Sequence, residues 1–121
     1  MDRIKTNKAP KAIGTYSQGT RVGDFVFTSG QIAINPESGN LVLDKFENEV
    51  IQVLDNISAV LESGGSSKNS IIKLTVFLVD LSNFQVVNKV FKEYFNDNFP
   101  ARSALEVSAL PLGVNIEIEA I

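Results

Sequence analysis

The stretch Ser70-Ile71-Ile72-Lys73-Leu74-Thr75-Val76-Phe77-Leu78-Val79 decides the fold of this chain of 121 residues. β-branched and aromatic residues predominate in it, which predicts a strand. Apolar side chains fall on both of its alternating faces, and a strand of that kind is covered on both sides in a folded protein. The rest of the chain must therefore supply a layer for each face.

Two amphipathic helices flank this strand in the sequence. Residues 44–63 carry apolar side chains at helical spacing, with Asp44 and Glu47 predicted as a capping box and Gly64-Gly65 as the left-handed stop. Residues 83–96 carry a second apolar stripe. Both helices are long enough to cover one face of a sheet.

Further strands precede and follow these helices. Residues 24–29 form a short β-rich run, a further strand is expected at about residues 101–107, and residues 114–121 alternate strictly, with Glu117 and Glu119 on the polar face. The order of elements is several strands, helix, strand, helix and two strands. This order predicts an α+β fold in which both helices lie on one face of a mixed six-stranded sheet.

The second face of the central strand also needs cover, and no further helix is available for it. Because monomers rarely expose large apolar patches, we expect another subunit to supply that layer. Glu117 and Glu119 would then face a cavity between subunits. There is no linker, repeat or change of composition, so residues 1–121 are expected to form a single domain.

The absence of two residue types excludes several catalytic mechanisms and metal sites. The chain has no cysteine and no histidine, which excludes disulfides, a thiolate nucleophile, Ser-His-Asp catalysis and His-ligated metals. The net charge of −3 argues against a nucleic-acid binder, which normally presents a basic surface. No membrane segment or secretion signal is recognisable, so we expect a cytoplasmic protein, with a mitochondrial location left open.

Arg102 and Glu117 are the leading candidates for chemistry. The guanidinium of Arg102 can bind a carboxylate bidentately, and a partly buried Glu117 can have a raised pKa and activate water. From the residues alone, the favoured interpretation of Arg102 is structural, either an ion pair with Glu106 or a solvated surface arginine. A salt bridge between subunits is at least as good an interpretation of Glu117.

Four weaker candidates accompany them. Tyr16 lies in a loop between glycines, and Ser29 and Gly30 end a strand, where polar groups and exposed backbone meet. Asn88 interrupts the apolar face of the second helix, where a buried amide needs hydrogen-bond partners, and a structural role is the favoured one.

Taken together, these residues resemble the signature of the Rid family, the RidA or YjgF-like proteins. The shared motifs run in order over nearly the whole chain. They are Ala9-Pro10, Ala12-Ile13-Gly14, Tyr16-Ser17-Gln18, Thr28-Ser29-Gly30-Gln31-Ile32, Val53-Leu54-Asp55-Asn56, Lys73–Leu78, Phe84–Asn88, Pro100-Ala101-Arg102-Ser103, Leu110-Pro111 and Ile116–Ile121.

This resemblance implies a chorismate-mutase-like fold and a homotrimer with a central β-barrel and clefts between neighbouring subunits. It implies a 2-iminobutanoate/2-iminopropanoate deaminase, which hydrolyses 2-aminoacrylate, 2-aminocrotonate and their imine tautomers to 2-ketoacids and ammonia. Pyridoxal-phosphate-dependent dehydratases release these substrates, and the Rid protein itself needs no cofactor or metal. Arg102 would bind the substrate carboxylate, Glu117 would position or activate water, and Tyr16, Ser29, Gly30 and Asn88 would line the pocket.

Two positions depart from the family pattern. Position 15 is threonine where many relatives have proline, and position 104 is alanine where many have cysteine. Two other functions remain open, an endoribonuclease or translation inhibitor and a non-enzymatic trimer that binds small carboxylates. The presence of Arg102 favours the enzyme over the second of these.

Overall fold

The computed structural model describes residues 1–121, and the strand quoted above is the middle strand of one of two small sheets. This strand, β4 (Lys73–Leu78), pairs in parallel with β5 (Ala101–Glu106) and antiparallel with β6 (Ile116–Ala120). It begins three residues later than predicted, because Lys68–Ser70 forms a turn of 3₁₀-helix.

A second sheet is formed by the N-terminal part of the chain. Strands β1 (Asp2–Ile4), β2 (Gly19–Val22) and β3 (Phe25–Thr28) pair antiparallel in that order. Strand β3 confirms the strand predicted at residues 24–29. Gly23 joins β2 to β3 with a φ of 57°, a backbone conformation that glycine adopts at little cost.

The prediction of one mixed six-stranded sheet was wrong, because the six strands form two sheets of three. Strand β3 ends at Thr28, and beyond it only an isolated bridge between Gln31 and Ile118 reaches β6. The backbone N–H of Gln31 donates to the Ile118 carbonyl at 2.8 Å, and the backbone N–H of Ile118 donates to the Gln31 carbonyl at 3.1 Å. The α+β class and the two helices are confirmed, and the two sheets remain connected through β6.

The helices are α1 (Phe46–Ser63) and α2 (Phe84–Phe95), each within two residues of its predicted bounds. The predicted capping box was wrong. Lys45 is the residue before α1, it makes no side-chain cap, and the Asp44 carboxylate instead accepts a 3.0 Å hydrogen bond from Asn48. The predicted stop is confirmed, since Gly65 has a φ of 84°. Neither helix is long and apolar enough to cross a membrane.

The core lies between the helices and one face of each sheet. Leu74, Val76 and Leu78 of β4 are fully buried, and they share one cluster with the apolar stripes of α1 and α2. The face of the two sheets that points away from the helices, which we call the open face, is only partly covered. It carries the exposed side chains of Phe25 (50%), Phe27 (39%) and Leu105 (41%).

Candidate functional site

Strand β6 points Glu117 away from the core. Its neighbours Ile116 and Ile118 are fully buried, and alternation along the strand places Glu117 on the other face. There its half-buried carboxylate lines a cavity of about 400 Å³, which we call the Glu117 cavity. Other residues that line it include Lys11, Ile13, Tyr16, Ser29, Gly30 and Leu112.

The surroundings of Glu117 favour its protonated form. Partial burial raises the pKa of the Glu117 carboxyl above its ordinary value, because desolvation disfavours the charged form. The nearby carboxylate of Glu119 raises that pKa further by like-charge repulsion. A carboxylate of raised pKa in a cavity can accept a proton from water and return it at a pH nearer neutrality.

Gly30 and Ser29 form the wall against which Glu117 lies. A Cβ atom at position 30 would lie 2.9 Å from Cδ of Glu117 and would overlap its Oε1 atom, so only glycine leaves room for this carboxylate. The Ser29 hydroxyl donates a hydrogen bond to the Ser17 carbonyl, and the Ser29 amide donates to the Gln18 carbonyl at 2.9 Å. These bonds fix the loop, and Tyr16 stands half-exposed at the rim.

Arg102 lies in a separate depression of about 480 Å³ beside α2. Its Nη1 donates a 2.8 Å hydrogen bond to Oδ1 of Asn88. Its guanidinium carbon lies 5.4 Å from the ring centre of Phe84 and 5.6 Å from that of Phe91. Cation–π contacts of this kind hold the guanidinium plane while leaving donors free for a carboxylate.

Two expectations from the sequence were wrong at this depression, the ion pair of Arg102 with Glu106 and the burial of Asn88, whereas the exposed Arg102 agrees with the alternative of a surface arginine. Arg102 forms no ion pair with Glu106, whose carboxylate accepts a hydrogen bond from the Leu81 amide at 3.0 Å. The only salt bridge in the chain joins Lys89 to Glu47. The side chain of Asn88 is exposed rather than buried, and its hydrogen-bond partner is Arg102.

The chain does not bring Arg102 and Glu117 together. In the sheet register, Arg102 is aligned with the buried Leu74, whereas Glu117 is aligned with Phe77. Positions 74 and 77 are an odd number of residues apart, so the two candidates project from opposite faces of the sheet. Tyr16, Ser29 and Gly30 lie with Glu117, and Asn88 lies with Arg102.

Several residues that shape the Glu117 cavity were not recognised in the sequence. Lys11 and Leu112 line it directly, and Leu112 has a left-handed φ of 56° that no sequence pattern indicated. Glu49 is fully buried, and its carboxylate accepts two 2.8 Å hydrogen bonds from Asn115, two residues before Glu117. The sequence did offer one indication that Glu49 is buried, because it lies three residues after Phe46 on the apolar stripe of α1.

These features define a small α+β protein whose polar, ligand-sized clefts are divided between two surfaces. A family model described as Endoribonuclease L-PSP matches residues 6–121. The chain is 50% identical over 118 residues to a RutC family protein of Pyrococcus abyssi, covering 98% of this chain and 93% of that protein. It is 46% identical over 118 residues to the Homo sapiens 2-iminobutanoate/2-iminopropanoate deaminase, covering 98% of this chain and 86% of that one.

The fold is similar to that of solved structures as well. The YjgF gene product of E. coli superposes with a TM-score of 0.95 at 42% identity, covering 99% of this chain and 96% of that one. The chain therefore belongs to the endoribonuclease L-PSP family, which includes the Rid (RidA/YjgF) proteins. The resemblance found in the sequence motifs is confirmed.

Proposed function

We propose that this protein hydrolyses reactive 2-imino acids, in particular 2-iminopropanoate and 2-iminobutanoate, to 2-ketoacids and ammonia. The observation that carries this proposal is the nature of the two clefts. One holds a guanidinium oriented by Asn88 and two aromatic rings, and the other holds Glu117 with a raised pKa. A carboxylate anchor and a proton acceptor are the two groups that the reaction needs.

The opposite orientation of these groups supports a site shared between two subunits. A three-carbon imino acid is too small to contact both faces of one sheet, so Arg102 of one subunit and Glu117 of its neighbour would have to meet across an interface. The exposed Phe25, Phe27 and Leu105 give the open face an apolar surface suited to such an interface. We propose a homotrimer with a central β-barrel, closed by cyclic symmetry.

The reaction then proceeds by addition of water to the C=N bond. Arg102 binds the substrate carboxylate with two parallel N–H···O bonds and fixes the orientation of the imine carbon. As water attacks the carbon of the protonated imine, Glu117 accepts one proton from that water, which gives a neutral carbinolamine. Glu117 returns this proton to nitrogen, and the C–N bond then breaks as the carbinolamine hydroxyl gives its own proton to Glu117. Ammonia leaves, the carbon–oxygen double bond of the ketoacid forms, and the last proton passes from Glu117 to ammonia or solvent. An enamine first takes a proton at its terminal carbon.

The other residues of the Glu117 cavity have supporting roles in this proposal. Tyr16 closes the rim, and the Ser29 hydroxyl, whose proton is directed to Ser17, retains lone pairs that can accept from the imine nitrogen. The backbone beside Gly30 and at the start of the last strands offers further hydrogen-bonding groups. No step requires histidine, cysteine, a metal or a cofactor.

The proposal is tested by ketoacid formation from 2-aminoacrylate. A serine dehydratase supplies the substrate, and semicarbazide competes for it as a trap. We expect wild type to accelerate ketoacid formation and Arg102→Ala to reduce that acceleration by about a hundredfold or more, because the reacting atoms lose their alignment. Arg102→Lys keeps the charge and loses the planar fork, so its activity should fall between the two. Wild type without any acceleration would contradict the proposal.

RNA cleavage is a second candidate function, supported by the description of the matching family model as an endoribonuclease. Assays of wild type, Arg102→Ala and Arg102→Lys with RNA distinguish this function from imine hydrolysis. Cleavage of a single-stranded RNA that is strongly salt-dependent and independent of 2-aminoacrylate turnover would favour this alternative.

A further inference from the structure

A third cavity lies beside the Glu117 cavity and has a different character. It measures about 580 Å³, and three of its ten lining residues are cations, whereas none is a carboxylate. We call it the basic cavity. Its lining includes Arg3, Lys5, Thr6, Lys11, Tyr16 and Ser17. Lys11 and Tyr16 also line the Glu117 cavity, so the two cavities share a wall.

The cations of this cavity belong to a basic N-terminal segment in an acidic protein. Residues 1–21 contain five of the 11 lysines and arginines but only one of the 14 acidic residues. None of the three lining cations forms a salt bridge, since the only such pair in the chain is Lys89 with Glu47. Like charges gathered without a counter-charge attract a multivalent anion and are stabilised by it.

The wall of the cavity is already formed without a ligand. Gln18 is 3% exposed, and its amide makes four hydrogen bonds to the N-terminal segment. Its Oε1 accepts from the Thr6 amide at 2.7 Å, and its Nε2 donates to the carbonyls of Thr6, Ala9 and Pro10 at 3.0, 3.3 and 2.7 Å. A preformed wall reduces the ordering cost of binding.

We propose that the basic cavity binds a small multivalent oxyanion, such as a compound with neighbouring phosphate or carboxylate groups. Arg3 lies in β1 and Lys5 directly follows that strand, on either side of the buried Ile4, and both cations line the cavity. Lys11 lines the same cavity, and the hydroxyls of Thr6 and Ser17 can donate to further oxygens.

Occupancy of this cavity should also affect the neighbouring one. A bound anion engages Lys11 and places negative charge beside the Glu117 cavity, so an anionic substrate approaches less favourably. This second effect rests on the proposed imine hydrolysis, and it predicts a higher KM with little change in kcat. Binding of the anion itself does not depend on that function.

The test is calorimetric titration of the full-length protein with inorganic pyrophosphate and, separately, with citrate. We expect one anion per chain, with an affinity that decreases as salt increases. The double variant Arg3→Gln/Lys5→Gln should weaken binding by about tenfold or more, since charge-assisted hydrogen bonds are lost. Gln18→Ala should weaken it with every cation retained. If Gln18→Ala does not fold, the charge variants still decide the question.

A matched control removes the same charge elsewhere. Lys45→Gln/Lys89→Gln lowers the net charge equally at exposed sites outside the cavity and should leave the dissociation constant within about twofold, because screened distant charges contribute little. Equal weakening by both double variants would overturn the proposal, as would binding of neither anion by wild type at low salt. Anion binding by a protein without imine hydrolysis would overturn only the proposed function, and hydrolysis without anion binding would overturn only this site.

Discussion

At the scale of single residues, the pKa of Glu117 is set by the surroundings of its carboxyl group. Its raised pKa has two causes, burial first and the charge of Glu119 second. The unfolded chain lacks the burial, and water screens the charge of Glu119 there, so folding favours protonated Glu117. This residue's contribution to stability is therefore greatest at low pH and decreases as pH rises through the raised pKa.

A pH profile tests the role of Glu117 as a base. Activity should be lost as pH falls through its raised pKa, because only the carboxylate accepts a proton. Glu119→Gln removes the repulsive charge, so the acidic limb of kcat/KM should move to lower pH, with burial keeping the pKa above its ordinary value. The measurement compares both profiles with the dehydratase in excess at every pH. An unmoved limb, or one moved to higher pH, would contradict this role.

Gly30 provides a second test at this scale. A methyl group at position 30 collides with the Glu117 carboxylate, so Gly30→Ala should displace that side chain and lower kcat by about tenfold or more. The collision is with a side-chain terminus, and the loss of stability should be small.

Gly39→Ala is the matched control, because Gly39 has a φ of 76° and open space around it, away from both cavities. Strain there should lower the free energy of unfolding, measured by urea denaturation, by about 1 kcal/mol while activity per folded molecule stays unchanged. The role of Gly30 would be wrong if Gly30→Ala kept full activity.

At the scale of elements, α1 and β6 are joined by the contact between Glu49 and Asn115. The Asn115 amide and side chain each donate to one oxygen of Glu49, and the buried carboxylate has no cationic partner. Its place in the first turn of α1 is electrostatically favourable, because the helix N-terminus carries partial positive charge. This contact fixes the start of the strand that carries Glu117.

Loss of this contact should destabilise the protein. Glu49→Ala leaves the two Asn115 donors without their protein acceptors, so the free energy of unfolding should decrease by about 1–3 kcal/mol. Glu47→Gln changes a side chain of α1 that is 40% exposed and should alter the free energy of unfolding little, because exposed ion pairs contribute little. Urea denaturation measures both, and equal effects would show that the buried contact is not important.

The elements also show what sequence patterns can predict. Both helices and strands β4 and β6 follow from periodicity, since each presents a continuous apolar face to one core, whereas β3 contributes only Val26 to that core and β5 has no buried residue. Strands β1 and β2 have three and four residues, too few for alternation to identify them. The division into two sheets depends on where pairing stops after Thr28, which is a property of the three-dimensional path of the chain.

At the scale of the whole molecule, the sequence identifies Arg102 and Glu117 as candidates, and the structure shows that they lie on opposite faces of the sheet. The importance of Arg102 and Glu117 follows from their chemistry and from the family motifs. Their placement on opposite faces follows from strand register, which the sequence does not display. The same open face that leaves Phe25 and Phe27 exposed also presents Glu117, so assembly and catalysis are linked in the proposed trimer.

Subunit mixing tests this link directly. Arg102→Ala and Glu117→Gln, each inactive alone, are unfolded together in equal amounts, refolded, and assayed for ketoacid formation from 2-aminoacrylate. A cleft with intact Arg102 from one subunit and intact Glu117 from its neighbour occurs in about a quarter of the sites of randomly assembled cyclic trimers, so about a quarter of wild-type activity should return. A mixture as inactive as its parents, beside wild type that regains activity after the same treatment, would contradict a shared site.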